Sequence, residues 1–271
     1  MRRQIISTQP FYVLYQIAEA DDNCCTYCAI PSIRGRFRSR KLEDIISEAK
    51  WLAENGVTEL VVVAQDTTRY GEDIYGEPSL AKLLRELCRI DGLKWIRTLY
   101  AYPERITDEL LDAIAQEEKL VKYLDIPIQH CNKEVLKRMN RHGDRETLTA
   151  LIQKIRRRIP GITLRTTLIA GFPGETDEQF EELCEFVREM RFDRLGCFAY
   201  SAEEGTPAAG MEDQIPLKIR ERRAELIMEE QMFISDSLNE KALDKTIEVV
   251  TEALTVMRNA GTAEALPMRP K

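Results

Sequence analysis

The sequence predicts an α/β fold in which six short strands run parallel and are joined by helices. Strand-like apolar runs fall at 11–18, 59–64, 95–100, 123–126, 163–170 and 194–200, and helical spacing separates each from the next. Strands separated by helices of this length pair in parallel through right-handed crossovers. The chain's unusual polar phrases also follow directly after these strands, where parallel α/β folds keep their functional residues. Six such strands fit an open, partial (β/α)6 barrel as well as a doubly wound sheet, and composition alone does not separate the two.

The elements have local grounds. After the first strand, Leu42–Asn55 repeats apolar residues at helical spacing (Ile45, Ile46, Ala49, Leu52, Ala53) and stops at Gly56. Glu59–Ala64 is a short β-branched run of the kind buried on both faces. Ser79–Arg89 reads as a helix, Trp95–Tyr100 as a strand, and Thr107–Gln116 as a helix with Thr107 as its N-cap. Beyond the strand at Tyr123–Ile126 come helices near Lys133–Met139 and Arg145–Arg158. The strand Thr163–Ala170, the helix Asp177–Met190 and the strand Arg194–Tyr200 complete the alternation.

Pro216–Leu243 is a long charged helix with an apolar stripe (Ala224, Ile227, Met228, Met232, Leu238), expected to pack outside the barrel. Thr246–Ala253 reads as the start of a small β-domain that the remaining residues do not complete, and the extreme C-terminus as disordered. The organisation is therefore a lead-in at 1–10, a core at 11–243 and a remnant with a tail at 244–271.

Three of the seven cysteines, Cys24, Cys25 and Cys28, stand within five residues just after the first strand. Thiols clustered after a strand suggest a soft metal, because thiolate sulfur favours zinc or iron–sulfur iron over hard cations. Zinc would need a second ligand pair, but no second C-x2-C follows and the chain has only two histidines, His130 and His142. Seven cysteines at irregular spacing are too sparse for a disulfide framework and fit a reducing, cytoplasmic setting.

At 271 residues and 44% hydrophobic, the chain can bury one large core or two modest ones. A formal charge of −7 argues against a broad DNA- or RNA-binding surface and suits a basic protein partner, although ordinary acidic solubility also accounts for it. No apolar run approaches the ~18 residues of a membrane span, and no signal peptide precedes the first strand.

The second strand is followed by Gln65, Asp66, Thr67, Thr68 and Arg69, polar groups that can bond a cofactor or simply close a turn. Tyr100 to Arg105 follow the third strand; Gln129, His130 and Cys131 lie beyond the fourth. A lone histidine is more often structural than a ligand, and His142 is expected on the surface. Beyond the fifth strand, Gly171, Phe172, Pro173, Gly174 and Glu175 make a loop whose glycines let backbone approach a ligand, with Thr176 capping the next helix. A plain strand–turn–helix junction explains that loop about as well. Arg165 lies inside an otherwise apolar strand and needs a paired charge, for example a carboxylate.

The cysteine stretch resembles the cluster loop of radical S-adenosylmethionine (SAM) enzymes, C-x3-C-x2-C with an aromatic residue before the last cysteine. Cys25, Tyr27 and Cys28 fit; Asp21 stands where the family has its first cysteine, Ala20 where it usually has glycine, and Cys24 is an extra thiol out of register. The phrases QDTTRYG, YAYPERIT, YLDIPIQH, RMNRHG, LRTTLIAGFPGET and FDRLGCFAYSAEEGT resemble, in order, the methylthiotransferase branch of that family over roughly residues 10–245. AQDTTRYG and AYSAEEGTPA look more like the enzymes acting on an aspartate of a small-subunit ribosomal protein than like the tRNA-adenosine enzymes.

The resemblance selects the partial (β/α)6 barrel. It implies a [4Fe–4S] cluster held by Cys25 and Cys28, with SAM at its open iron and Tyr27 supporting the adenine through backbone contacts. Gln65, Asp66, Gln129, His130, Arg165 and the loop of Gly171, Phe172, Gly174 and Glu175 become candidates to line the SAM pocket. The reaction implied is methylthiolation of an aspartate β-carbon in a small-subunit ribosomal protein, with a reductant such as flavodoxin or ferredoxin. Family members carry a further N-terminal cluster domain and a C-terminal β-barrel, so this chain is expected to be a catalytic core impaired by Asp21 and by their absence. For the missing ligand three outcomes stay open: Asp21 binds through oxygen, Cys24 takes over, or no stable cluster assembles. The alternatives are a tRNA-adenosine enzyme and a catalytically dead scaffold of the same fold.

Overall fold

The computed structural model describes residues 11–246 and 248. The chain enters through β1 (Tyr12–Gln16) and the two-residue β2 (Ala18–Glu19), passes the cysteine loop, and continues through α1 (Ile30–Arg34), β3 (Arg38–Ser39) and α2 (Leu42–Glu54). Next come β4 (Glu59–Val63), α3 (Glu72–Tyr75), α4 (Leu80–Cys88), β5 (Trp95–Thr98) and α5 (Asp108–Gln116). The second half runs β6 (Tyr123–Asp125), α6 (Lys133–Arg138), α7 (Arg145–Arg158), β7 (Thr163–Ala170), α8 (Asp177–Met190), β8 (Arg194–Ala199) and α9 (Leu217–Glu240).

The six expected strands all pair in parallel, in the orders β1-β4-β5 and β6-β7-β8. They hydrogen-bond as two three-stranded sheets rather than one unbroken run, and the barrel stays open, as the partial (β/α)6 arrangement expected from the sequence implies. Between β5 and β6 only one parallel bridge, Ile96 to Leu120, is present. Farther along, Tyr100 takes a left-handed conformation (φ 59°) and its N–H donates to the Asp125 carboxylate at 3.2 Å. The Ala101 N–H then donates to the Asp125 carbonyl at 2.8 Å. A side-chain oxygen thus takes a donor that a regular ladder would have used, and the two sheets meet at a seam.

Register places one set of side chains on a common face. Leu14 pairs with Val61, Val61 with Arg97, Asp125 with Arg165, and Ile169 with Phe198. The Arg97 guanidinium lies 5.0 Å over the Tyr123 ring, carrying that face across the seam. This face is open at its two edges, where Leu14 is 56% and Phe198 63% exposed, and closed between them, where Val61 and Asp125 are buried. The opposite face, with Leu60, Val62, Ile96, Leu124, Leu164 and Leu168, is buried in one core with the helices. In β7 this gives strict alternation, with Leu164, Thr166, Leu168 and Ala170 buried and their neighbours half-buried.

Caps fix several helices. Thr107 accepts from the Leu110 N–H, while Asp144 and Thr176 make capping boxes with Thr147 and Gln179. α9 packs on β8 and α8, burying Ala224, Ile227 and Ile234. Two members of its expected stripe, Met228 and Met232, instead stay largely exposed. They border a cavity of about 790 Å3 shared with Arg165, Arg194 and Gly196. Met228 Sδ accepts the Cys197 N–H at 3.3 Å, so the helix covers part of the open edge of β8. The β-domain expected from Thr246–Ala253 lies outside the described residues but for Thr246 and Glu248. Two short elements carried no clear sequence signal: α1 and the antiparallel pair β2–β3.

Candidate functional site

The cysteine loop leaves the C-terminal end of the first sheet and is held from outside. The Thr26 N–H donates to the Met139 carbonyl at 3.1 Å, and Thr26 Oγ1 to the Arg138 carbonyl at 2.7 Å. Asn140 Nδ2 donates to the Cys24 carbonyl at 2.9 Å and the Asn23 carbonyl at 3.3 Å. Two loop residues, Ala20 (φ 65°) and Cys24 (φ 56°), occupy the left-handed region, where glycine is the comfortable residue. The resemblance noted glycine in place of Ala20, and the backbone explains why.

Cys25 is buried and its sulfur lies 2.9 Å from the Tyr102 hydroxyl. The Tyr102 ring is covered at 3.9 Å by the buried guanidinium of Arg141, which also donates to the Pro127 carbonyl at 2.7 Å. Tyr27 and Cys28 are half-buried beside them. Burial pushes the Cys28 thiol up from its ordinary value, and the neighbouring charges of Cys25 and Asp21 push the same way against the N–H of Ile30. Asp21 is 7% exposed; burial raises its pKa although the Asn23 N–H donates to its carboxylate at 3.0 Å. Cys24 is exposed, with its thiol turned to the Asp22 carbonyl at 3.3 Å.

Asp66 links this loop to the strand ends. Fully buried, it accepts from the Thr68 N–H (3.0 Å) and hydroxyl, from Arg105 Nη1 at 2.6 Å and from Asn23 Nδ2 at 3.3 Å. Gln65 beside it is exposed. Arg69 is salt-bridged to Asp22 and Glu72. Over the loop lies a polar cavity of about 290 Å3 lined by Asp22, Asn23, Arg69, Tyr102 and Arg105, with the exposed His142 at its edge.

The second-sheet residues sit differently. Gln129 is half-buried and left-handed (φ 68°), bonded through its backbone to Thr167 and Ile169. His130 is fully buried; its Nδ1 accepts the Asn132 N–H at 2.9 Å, leaving Nε2 to carry the proton 3.5 Å from Glu175. Glu175 Oε2 accepts from the Gly171 N–H at 3.0 Å and Oε1 from Arg223 Nη1 at 2.7 Å. A Cβ on Gly171 would overlap the Arg220 side chain, and one on Gly174 would touch the Arg138 guanidinium. At these two glycines the close approach is made by the protein's own arginines. Phe172 is buried edge-on against Tyr200. Arg165 pairs with Asp125 at 3.0 Å, so the charge its strand position required is present. It sits at the third position of β7, roughly 17 Å below the strand's end at a rise of about 3.3 Å per residue.

Asn23, Tyr102, Asn140 and Arg141 were not singled out one by one from the sequence, although three of them lie in the quoted phrases. Their signal was weak because partners such as Asn140 and Cys24 are 116 residues apart.

The strand order, the loop after β1 and its thiols define a radical SAM type of core. A profile of the radical SAM superfamily matches residues 22–187, and the chain belongs to that superfamily. It is 53% identical, over 92% of its length, to the ribosomal protein uS12 methylthiotransferase RimO of Clostridium tetani, and 51% identical over 91% to that of Clostridioides difficile. In each case it spans 56% of the relative, so the chain covers about half the length of these curated relatives. Among solved structures, coproporphyrinogen III oxidase HemN of Escherichia coli aligns with a TM-score of 0.57 at 23% identity, over 86% of this chain and 54% of that one. Methylornithine synthase PylB aligns with a TM-score of 0.55 at 15% identity, over 82% and 62%. These likenesses show the fold.

The superfamily works with a [4Fe–4S] cluster and SAM. The donors present here do not fit a cluster on three thiolates: of the loop's thiols Cys25 is buried, Cys28 half-buried and Cys24 exposed, and among the described residues no three His, Cys, Asp or Glu side chains converge on a metal position.

Proposed function

We propose that this chain is the radical SAM core of a methylthiotransferase whose substrate is an aspartate of ribosomal protein uS12. The observation that carries this reading is the 53% identity over nearly the whole chain to proteins of that name. The acidic charge of −7 supports it, because a ribosomal protein that lies against RNA is basic. Cys25 and Cys28 are the thiols available to iron, Tyr27 sits between them to support an adenine, and Gln65 and Gln129 stand at strand ends where SAM would lie. Asp66 and Arg105 hold the loop against the strands; Glu175 and His130 hold the glycine loop. The reductant is a small flavodoxin or ferredoxin, and the setting is the cytoplasm. No helix among the described residues is long and apolar enough to cross a membrane.

A second reading, a catalytically dead scaffold, is favoured by one observation: Asp21 in place of a thiol. The experiment incubates the protein with uS12, SAM and a reductant and analyses uS12 by mass spectrometry. Addition of a methylthio group at one aspartate supports the enzyme reading. Tight, salt-sensitive binding of uS12 without modification supports the scaffold. Binding of tRNA with none of uS12 would move the assignment to the tRNA branch.

A further inference from the structure

Thr26 of the cysteine loop and Gly174 of the glycine loop are joined by two separate paths. The first runs through the C-terminal end of α6. A helix end leaves its last carbonyls without intrahelical donors, and Thr26 supplies them here. Its N–H reaches the Met139 carbonyl at 3.1 Å and its hydroxyl the Arg138 carbonyl at 2.7 Å. The Arg138 side chain then turns to the other loop, where Nη2 donates to the Gly174 carbonyl at 3.0 Å and to Gln179 Oε1 at 3.4 Å. Gly174 is left-handed (φ 74°), and a Cβ there would meet the guanidinium carbon at 3.4 Å, so the glycine lets the arginine in.

The second path runs through residues 206–214. The Ala208 N–H donates to the Thr26 carbonyl at 2.9 Å, and the Gly174 N–H to the Asp213 carbonyl at 2.8 Å. Gln214 Nε2 fastens that segment to itself through the carbonyls of Ala208 (2.8 Å) and Met211 (3.1 Å). The backbone N–H and carbonyl of Thr26 and of Gly174 are all engaged, and the bonds close into a ring.

We propose that this ring clamps the two loops into one conformational unit, with Arg138 as the positioning residue that couples them. Opening one loop breaks bonds on which the other depends, so a disturbance passes between them through contiguous contacts. A group bound at either loop is felt at the other, and the effect is reciprocal. The clamp is independent of the methylthiotransferase reading and of any cofactor.

The test is amide hydrogen exchange of the full chain, read by mass spectrometry over residues 20–28 and 171–176, with α5 as the reference for global opening. Thr26→Val removes the hydroxyl bond on the cysteine-loop side. It should speed exchange about three- to tenfold over both windows and leave α5 unchanged. Arg138→Met keeps the aliphatic stem, loses the bond to Gly174 and should do the same. Arg138→Lys, which keeps a cationic donor, should restore most of the protection at both loops. Asn140→Ala, whose bonds lie outside the ring, should speed exchange over 20–28 alone. Circular dichroism confirms that each variant is folded; if Arg138→Met does not fold, Thr26→Val, which removes one half-buried hydroxyl, decides the matter. Acceleration confined to the altered loop in either variant would overturn the clamp. Equal acceleration over α5 would also overturn it, because these bonds would then serve only global stability. Failure of Arg138→Lys to restore protection would overturn the role given to Arg138.

Discussion

The cysteine loop and the glycine loop are both built on left-handed residues after a parallel strand, yet they spend their polar atoms differently. In the loop from Gly171 to Glu175 the protein satisfies itself: the Glu175 carboxylate takes two backbone N–H groups and the Arg223 guanidinium, while Arg220 packs over Gly171. In the loop from Ala20 to Cys28 the backbone is pinned by Thr26 and Asn140, while the buried Cys25 thiol meets the Tyr102 hydroxyl at 2.9 Å and the exposed Cys24 thiol turns to the Asp22 carbonyl. Neighbouring glycines and a capping threonine are therefore no measure of how much a loop offers a ligand. What counts is which donors remain after the fold has used its own.

The largest way to break this comparison is Glu175→Ala. It removes the buried carboxylate from the Arg223 cation, 8% exposed, leaving it the exposed Asp177 carboxylate and the Glu175 carbonyl, and orphans the Gly171 N–H. Breaking a buried pair from one side costs about 3–5 kcal/mol, to be read as a shift in urea midpoint at constant slope. An effect below about 1 kcal/mol would mean that the glycine loop is not braced as described.

Asn140→Ala should be smaller. It removes two bonds to loop carbonyls near the surface, so a loss of about 1–2 kcal/mol is expected, with faster hydrogen exchange confined to residues 20–28. Global acceleration of exchange would show that the loop is not a separable unit.

Asp144→Ala acts just beyond, where α7 begins behind the turn that supports the cysteine loop. Loss of this N-cap costs about 1 kcal/mol at neutral pH. The Thr147 N–H holds the Asp144 carboxyl below its ordinary value of 3.8. A depressed folded pKa contributes stability above the unfolded pKa that is lost as pH falls through the folded one. The gap between the two proteins should therefore be full at neutral pH and close below about pH 3.8, as thermal melts at several pH values would check.

The smallest expected change is a gain. Ala20→Gly relieves a left-handed alanine, a conformation that costs roughly 1 kcal/mol for a residue with a Cβ, partly offset by the unfolded-state entropy of glycine. A small rise in Tm is expected, and a fall would mean the Ala20 conformation is not strained.

Local chemistry was legible in the sequence. The helices Arg145–Arg158 and Asp177–Met190 and the strand Thr163–Ala170 have the bounds that periodicity indicates, and Thr107 and Thr176 cap where their side chains reach the next turn's N–H groups. Those signals act within four residues, so they survive in a linear reading. The clustering of Cys24, Cys25 and Cys28 was equally visible, because spacing is a property of the chain itself.

Only the tertiary structure decided how distant segments answer one another. It chose Asp125 as the partner of Arg165, split the strands at the seam beside Tyr100, and carried Arg223 across 48 residues to Glu175. It also turned Asp21 inward and Cys24 outward, through an asparagine 116 residues away. The reason is physical. Strand register and helix crossovers set which side chains meet, and a buried charge or a free donor then takes whichever partner that geometry brings within reach.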